Sequence, residues 1–290
     1  MVYLKSFSLL SAGAEESLGA ATLRIYEGNY YPCGLFSEKL LKNIDFDNIT
    51  IFYGGNGSGK TTLLNLISSK VGASRNSIID KGPIFNDYAE HCDYDLVKRH
   101  ECMEIRFISS DDVFDYLLDL RAVNSGVNRR KSALAETYFE SKYIKKNNDF
   151  ETYEELKDRV DSKRMTKSKF IRSRLVNNNI QEQSNGETAL AFWESNIKEN
   201  SIYILDEPEN SLSAENQLKL KAFIEESARF YNCQFIISTH SPFILSLHDA
   251  KIYDLDSNPV GVKKWYDLPN VRVYYDFFKE NKDDFEREDI

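Results

Sequence analysis

The run Gly54-Gly55-Asn56-Gly57-Ser58-Gly59-Lys60-Thr61 constrains this chain more than any other segment. It follows Ile49-Thr50-Ile51-Phe52-Tyr53, a β-branched and aromatic stretch that reads as a buried strand. It precedes Thr62-Leu63-Leu64-Asn65-Leu66-Ile67, which continues as a helix with an apolar face. Glycines let the turn between such elements take backbone angles closed to residues with a Cβ, so that successive N–H groups converge on one point. The helix adds the partial positive charge of its N-terminus. The pattern G-x-x-x-x-G-K-[ST] is complete, with the flanks a phosphate cradle requires. The expected ligand is a nucleoside triphosphate held by Gly54, Gly55, Asn56, Gly57, Ser58, Gly59, Lys60, Thr61 and Thr62. In that arrangement Lys60 reaches the β- and γ-phosphates, and the Thr61 hydroxyl ligates Mg²⁺.

With 290 residues, 41% hydrophobic and 13% aromatic, the chain can bury the core of one large α/β domain carrying an insertion. A formal net charge of -9 argues against a general nucleic-acid binder. No apolar run approaches the roughly 20 residues needed to cross a bilayer, so no membrane association is expected. Residues Met1 to Ala14 imitate a signal peptide only weakly, because Lys5 and the serines interrupt the apolar stretch. A first strand over Val2 to Leu10, in a cytoplasmic protein, is the better expectation. Four cysteines without framework spacing are expected as free thiols. His91, Cys92, His100 and Cys102 are zinc-type ligands, but their spacing matches no common zinc pattern. A surface segment leading into a strand accounts for them.

Along the chain, the first fifty residues alternate short apolar runs with turn residues, which predicts antiparallel strands and a short helix ahead of the glycine-rich turn. A strand is expected over Met103 to Ile108. From about 114 to 179 the sequence is charged, helix-favouring and nearly free of Gly and Pro, as expected of a helical insertion. Alternation then resumes: strand Ser201 to Leu205, helix Ala214 to Arg229, strand Gln234 to Ser238, helix Pro242 to His248 and strand Lys251 to Leu255. The whole of 1–290 is thus expected as a single domain interrupted once.

Three further constellations carry chemistry. The strand Ile202-Tyr203-Ile204-Leu205 ends in Asp206-Glu207-Pro208. In a sheet shared with the glycine-rich turn, that end delivers Asp206 to the metal side of the phosphate site. Glu207 is then placed to accept a hydrogen bond from an attacking water and orient it toward the γ-phosphorus. Ser238-Thr239-His240-Ser241-Pro242 follows the next strand, which puts His240 near the γ-phosphate in a sensing or orienting role. Ser184-Asn185-Gly186-Glu187 opens a helix running from Thr188 to Lys198. It reads equally as a capping box and as an anion-binding helix N-terminus.

Taken together, these elements resemble the ATP-binding-cassette ATPases over about 220 residues. Walker A is Gly54 to Thr61, the signature Ser184, Asn185, Gly186 and Glu187, Walker B Asp206, the catalytic acid Glu207, the D-loop Glu209 to Leu212, and the switch histidine His240. The strings Leu205 to Leu212 and Ser238 to Phe243 are similar to the soluble branch, which includes RecF-type repair ATPases, chromosome-maintenance proteins and stand-alone bacterial "AAA family" ATPases. The resemblance implies an α/β P-loop NTPase fold with an N-terminal antiparallel β-subdomain. It also implies ATP and Mg²⁺ as cofactors, and catalysis by Glu207, His240 and Lys60. It implies, further, a head-to-tail homodimer or heterodimer in which each ATP meets the partner's signature. The chain departs from the pattern in having no glutamine after the Met103–Ile108 strand, leaving Ser109 or Asp111 as substitutes in the metal site. Tyr26, Tyr30, Tyr31 and Phe36 all stand as adenine-stacking aromatics.

Two outputs follow. One is a soluble ATP-driven switch acting on nucleic acid or on an effector protein in repair or phage defence. The other is the nucleotide-binding subunit of a membrane transporter. From Arg121 to Arg174 the chain holds 15 Lys and Arg against 8 Asp and Glu, whereas the remainder holds 22 against 38. Lys163, Arg164, Lys167, Lys169, Arg172 and Arg174 form a basic run without an acid inside it, either a solvated helix face or a phosphate-binding arm.

Overall fold

The computed structural model describes residues 1–22, 30–76, 84–97, 102, 104–143, 153–174, 185–210 and 212–286. In chain order its elements begin with β1 (Leu4–Ser8), α1 (Ala12–Thr22), β2 (Asn43–Asp45), β3 (Ile49–Tyr53) and α2 (Lys60–Val71). Next come α3 (Phe85–His91), β4 (Asp93–Leu96), β5 (Glu104–Ser109), α4 (Ser110–Tyr143), α5 (Tyr153–Arg164) and α6 (Lys167–Arg174). The chain continues through α7 (Asn185–Asn196), β6 (Ser201–Asp206), α8 (Ala214–Phe230), β7 (Gln234–Ser238) and α9 (Pro242–Leu245). It closes with β8 (Lys251–Asp254), β9 (Gly261–Lys263), a 3₁₀ turn at Trp265–Asp267, α10 (Pro269–Glu280) and α11 (Lys282–Phe285). These form two compact units, one of 1–114 with 185–290 and one of 115–184.

The larger unit is built on a six-stranded sheet of order β5-β6-β7-β3-β8-β9, parallel except for β9 against β8. Every residue of β3, β6 and β7 is buried, as the continuous apolar strings of these strands require of a sheet covered on both faces. Ile202, Ile204, Ile236 and Phe52 share one core with Leu63, Leu64 and Ile67 of α2 and with β1 and β2. α8 packs against β7, and buries Leu220, Ile224 and Ala228. Ser213 caps α8 by accepting from Asn216 N.

The expected N-terminal antiparallel subdomain is the small sheet β2-β1-β4. Two side chains from the main sheet brace it: Tyr253 of β8, whose hydroxyl accepts from Asp45 N and donates to the Asp45 carbonyl (both 3.0 Å), and Gln234 of β7. The fully buried Gln234 of β7 accepts from the backbone N of Tyr3 (3.0 Å) and Leu4 (2.8 Å) and donates to the carbonyls of Leu4 (2.8 Å) and Asp47 (3.1 Å). Both ends of its amide are thereby satisfied, as burial demands. The expected helix from Pro242 to His248 stops at Leu245, and the Ser246 N–H turns back to the carbonyls of Ile244 and Pro242.

In the smaller unit, Tyr138 of α4 and Phe170 of α6 pack edge-on with ring centroids 5.4 Å apart, and both are buried. The Tyr138 hydroxyl donates to the Met165 carbonyl (3.2 Å). No helix among the described residues is long and apolar enough to cross a membrane.

Candidate functional site at the edge of the parallel sheet

Parallel strands β6, β7 and β3 all end at one edge, where a sheet of this kind gathers its ligand-binding loops. The glycine-rich turn leaves β3 there. A Cβ on Gly54 would meet Ser58 Oγ at 2.5 Å, and Gly59 has φ +102° with Leu35 and Phe36 packed against it, so a side chain at either position would force the loop open. The loop is braced from outside its own motif. Lys39 Nζ donates to the carbonyls of Ser58 and Leu255, both at 2.8 Å, and Asp256 accepts from the Gly55 N–H at 2.7 Å. Neither residue was legible as part of the site, because each reaches it across the fold.

A cleft of about 340 Å³ opens over the turn, lined by Tyr31, Leu35, Asn56, Lys60, Thr61 and Glu207 among others. Lys60, almost fully buried, donates to the carbonyls of Gly54 (2.9 Å) and Gly55 (3.3 Å) and lies 2.7 Å from His240 Nε2. Glu207 Oε1 stands 3.9 Å from Lys60 Nζ and 3.4 Å from His240 Nε2. Burial lowers the pKa of Lys60. Burial, and then the neighbouring Lys60 charge, lower that of His240, which favours the neutral imidazole as acceptor for the ammonium. The three groups assigned to catalysis from the sequence are therefore side by side.

Asp206 faces Thr61 from the neighbouring strand end: Thr61 Oγ1 donates to Asp206 Oδ1 at 3.2 Å. Ser238 Oγ, opposite Asp206 in the parallel register, also donates to Oδ1. Burial raises the Asp206 pKa, and the two hydroxyls oppose that rise. A hydroxyl and a carboxylate this close, all oxygen, suit the hard donor set of Mg²⁺. Ser109, one of the two proposed substitutes for the missing glutamine, pairs with Asp206 in register, but its N and Oγ both donate to Asp112 (2.8 and 2.9 Å). Asp111, the other, is exposed.

Glu207 has φ +49°, a left-handed conformation that costs a residue with a Cβ about 1 kcal/mol or more. Its N–H is held by Ser238, through both the carbonyl and Oγ at 3.1 Å, and Asn210 Nδ2 donates to its Oε2 at 3.0 Å. The tight turn aims the carboxylate back at Lys60 and His240. Glu209 sets the other side: its Oε1 accepts from Thr239 Oγ1 (2.6 Å) and from the backbone N–H of His240 (2.8 Å) and Ser241 (3.2 Å). Burial raises its pKa. Ser238, Thr239 and Glu209 are thus positioning residues; all sit within the quoted motif strings, yet only the strand register shows what they hold.

Among the aromatic candidates, Phe36 is wholly buried in the core, whereas Tyr31 lines the cleft with its hydroxyl bonded to Thr62 Oγ1. Tyr30 is exposed. Tyr26 and Ser184 lie outside the described residues. Asn185, Gly186 and Glu187 form the first turn of α7, and that helix packs against α8. His100 also lies outside the described residues. Cys92 is buried, which pushes its thiol up to about 12, and His91 Nδ1 stays with the Asp87 carbonyl. Among the described residues no group of three or more side chains of the metal-binding types is gathered.

In the basic run, Arg174 is turned inward. It pairs with Asp158 and with Asp161 (3.0 Å), and its guanidinium lies 3.8 Å from the Phe170 ring centroid. Lys163, Arg164, Lys167 and Lys169 are exposed, with Lys167 resting on the Phe139 ring.

A model of the ABC transporter family matches residues 41–210, and a model of the AAA ATPase domain matches residues 187–245. The chain is 27% identical over 221 residues to the lipoprotein-releasing system ATP-binding protein LolD of Buchnera aphidicola subsp. Acyrthosiphon pisum (strain APS), covering 74% of this chain and 86% of that protein. The SMC head domain from Thermotoga maritima aligns over 91% of this chain and 99% of its own, with TM-score 0.41 and 15% identity. A metal-chelate type ABC transporter in an inward-facing conformation aligns over 78% and 76%, with TM-score 0.39 and 17% identity. Structural scores this low carry no weight for function. The sequence match does: it spans more than half of the chain and takes in both the glycine-rich turn and the Asp206–Glu207 strand end, so the chain belongs to the ABC transporter family of P-loop ATPases and hydrolyses ATP.

Proposed function

We propose that the chain is an ATP-driven switch that pairs head to tail with a second copy, or with a related chain, and passes a conformational change to a nucleic acid or an effector protein. The observation that carries this reading is the convergence of Lys60, Glu207 and His240 within 4 Å of one another beside the Thr61–Asp206 pair. Thr61 and Asp206 would hold Mg²⁺, which supplies charge neutralisation on the phosphates. Lys60 would leave its carbonyl partners for the β- and γ-phosphate oxygens. Glu207 would orient the attacking water, and His240, fixed through Glu209, would hold the γ-phosphate side. The backbone of Asn185 to Glu187 opens a helix, and a helix N-terminus is suited to a phosphate presented by a partner.

A second reading, the nucleotide-binding subunit of a membrane transporter, is supported by the similarity to LolD. The positively charged helical stretch of an otherwise acidic chain supports the switch.

The pairing is tested by complementation. Ser184→Arg and Lys60→Ala are each expected to be inactive, and a mixture of the two chains is expected to recover part of the phosphate release. Mixed dimers, shown by size-exclusion chromatography, that recover none would sink the shared-site model. Reconstitution of ATP hydrolysis only with a membrane partner would favour the transporter reading.

A further inference from the structure

His240 is held at both ends of its backbone. Its N–H donates to Glu209 Oε1 at 2.8 Å, and its carbonyl accepts from Asn270 Nδ2 at 3.3 Å. Glu209 belongs to the turn after β6. Asn270 comes from the first turn of α10, 30 residues farther along the chain than His240. The backbone N–H of Asn270 is fixed in turn, donating to the Tyr53 hydroxyl at 3.2 Å. Tyr53 ends β3, and Gly54 of the phosphate cradle follows it directly. One residue therefore ties together the loops that leave β3 and β7.

Burial of its neighbours brings Asn270 to this place. Leu268 is fully buried and Val271 almost so, while Asn270 is half-buried between them. Pro269 opens the helix at a position where its missing N–H costs nothing. The Asn270 N–H is one of the amides that a helix start leaves without an internal partner, and the Tyr53 hydroxyl satisfies it. Its side-chain amide is then free of the helix and turned to the loop after β7. Thr239 and Ser241 are held there by Glu209 and Gln217, so the contact from α10 falls on His240 itself. The imidazole stands 2.7 Å from Lys60 Nζ and 3.4 Å from Glu207 Oε1. Misplacing such a group by about 1 Å can cost up to about 100-fold in rate.

We infer that Asn270 is a positioning residue for ATP hydrolysis, its amide holding the His240 carbonyl so that the imidazole stays against Lys60 and Glu207. The inference rests on the reading of His240 as a catalytic group and extends that site to α10.

The test is phosphate release by the intact chain, read as separate kcat and KM values. Asn270→Asp replaces the amide by a carboxylate of the same shape. At neutral pH that group cannot donate to the His240 carbonyl, yet an acid in the first turn suits the positive end of a helix. A role confined to building α10 therefore predicts normal turnover and an equal or higher melting temperature. Positioning predicts a kcat lowered about tenfold or more, a KM for ATP within about twofold, and no loss of melting temperature. Asn270→Ala, which removes the donor without adding charge, should lower kcat to the same extent. Val273→Ala, at an exposed position of the same helix, should leave it unchanged.

The decisive comparison is made in the His240→Ala background. A residue acting only through His240 has nothing left to hold there, so Asn270→Ala should change the remaining rate by less than about twofold. Normal kcat in both Asn270 variants, beside an impaired His240→Ala, overturns the proposal and leaves the reading of His240 standing. A tenfold loss that persists without the imidazole does the same, because Asn270 then acts by another route. Normal turnover by His240→Ala sinks the catalytic reading of His240, and the positioning role falls with it.

Discussion

The ammonium of Lys60 lies 2.7 Å from Nε2 of His240, although the two residues are 180 positions apart. The contact is made by β7 sitting between β3 and β6, so that the loops after β3 and β7 emerge side by side. Burial and the Lys60 charge keep the imidazole neutral and able to accept, and Glu207 closes the third corner. This triangle connects the phosphate cradle to the Asp-Glu strand end, and most of the expected behaviour follows from it.

Replacing Glu207 by Gln keeps the shape of the side chain and removes its charge. Phosphate release should fall at least about 100-fold while ATP affinity is retained. Glu207→Gly should be equally inactive, yet more stable than Glu207→Gln by about 1 kcal/mol, because glycine accepts φ +49° without strain. Normal turnover by Glu207→Gln would remove the residue from its role.

His240 has a folded-state pKa lowered from 6.5, so the unfolded chain takes up its proton first as pH falls. Its contribution to stability is complete above 6.5 and declines as pH drops from there through the lower folded value. The melting temperature of the native protein minus that of His240→Gln should shrink over that window. A difference that is flat between pH 7 and pH 5 would show that the imidazole is not held neutral.

Gln234→Leu is close in volume but strands four buried backbone groups, the N–H of Tyr3 and Leu4 and the carbonyls of Leu4 and Asp47. At about 1 kcal/mol or more for each group, the loss should reach at least about 3 kcal/mol in urea unfolding. A loss below about 1 kcal/mol would mean that apolar packing and the Tyr253 hydroxyl on Asp45 hold the small sheet in place without Gln234.

Lys163, Arg164, Lys167 and Lys169 are exposed, whereas Arg174 is committed to Asp158 and Asp161. In filter binding at low salt, Glu207→Gln with ATP should retain more nucleic acid than the same protein without nucleotide. Changing the four exposed residues to Glu should abolish the difference and leave Arg174→Ala-sensitive stability untouched. Retention in neither state would assign the run to a solvated face.

Much of this molecule was legible along the chain. The glycine-rich turn declares itself because its chemistry is local: one strand, one loop and one helix N-terminus supply the whole phosphate cradle. The strands β3, β6 and β7 were readable from their largely apolar strings, since a strand covered on both faces does not alternate apolar and exposed polar positions. The positions of Asp206, Glu207 and His240 followed from counting strand ends. What the sequence by itself could not determine is anything that depends on which strand lies beside which. That Ser238 holds both Asp206 and Glu207, that Glu209 fixes His240, that Lys39 and Asp256 brace the loop, and that Gln234 ties down β1 are all long-range pairings of ordinary polar residues. Lys39, Asp256 and Gln234 carry no periodicity or motif of their own, and even within a motif string Ser238 and Glu209 gain their roles only from burial next to a particular partner. The same is true of α10, whose aromatic residues are left exposed by the tertiary packing around them.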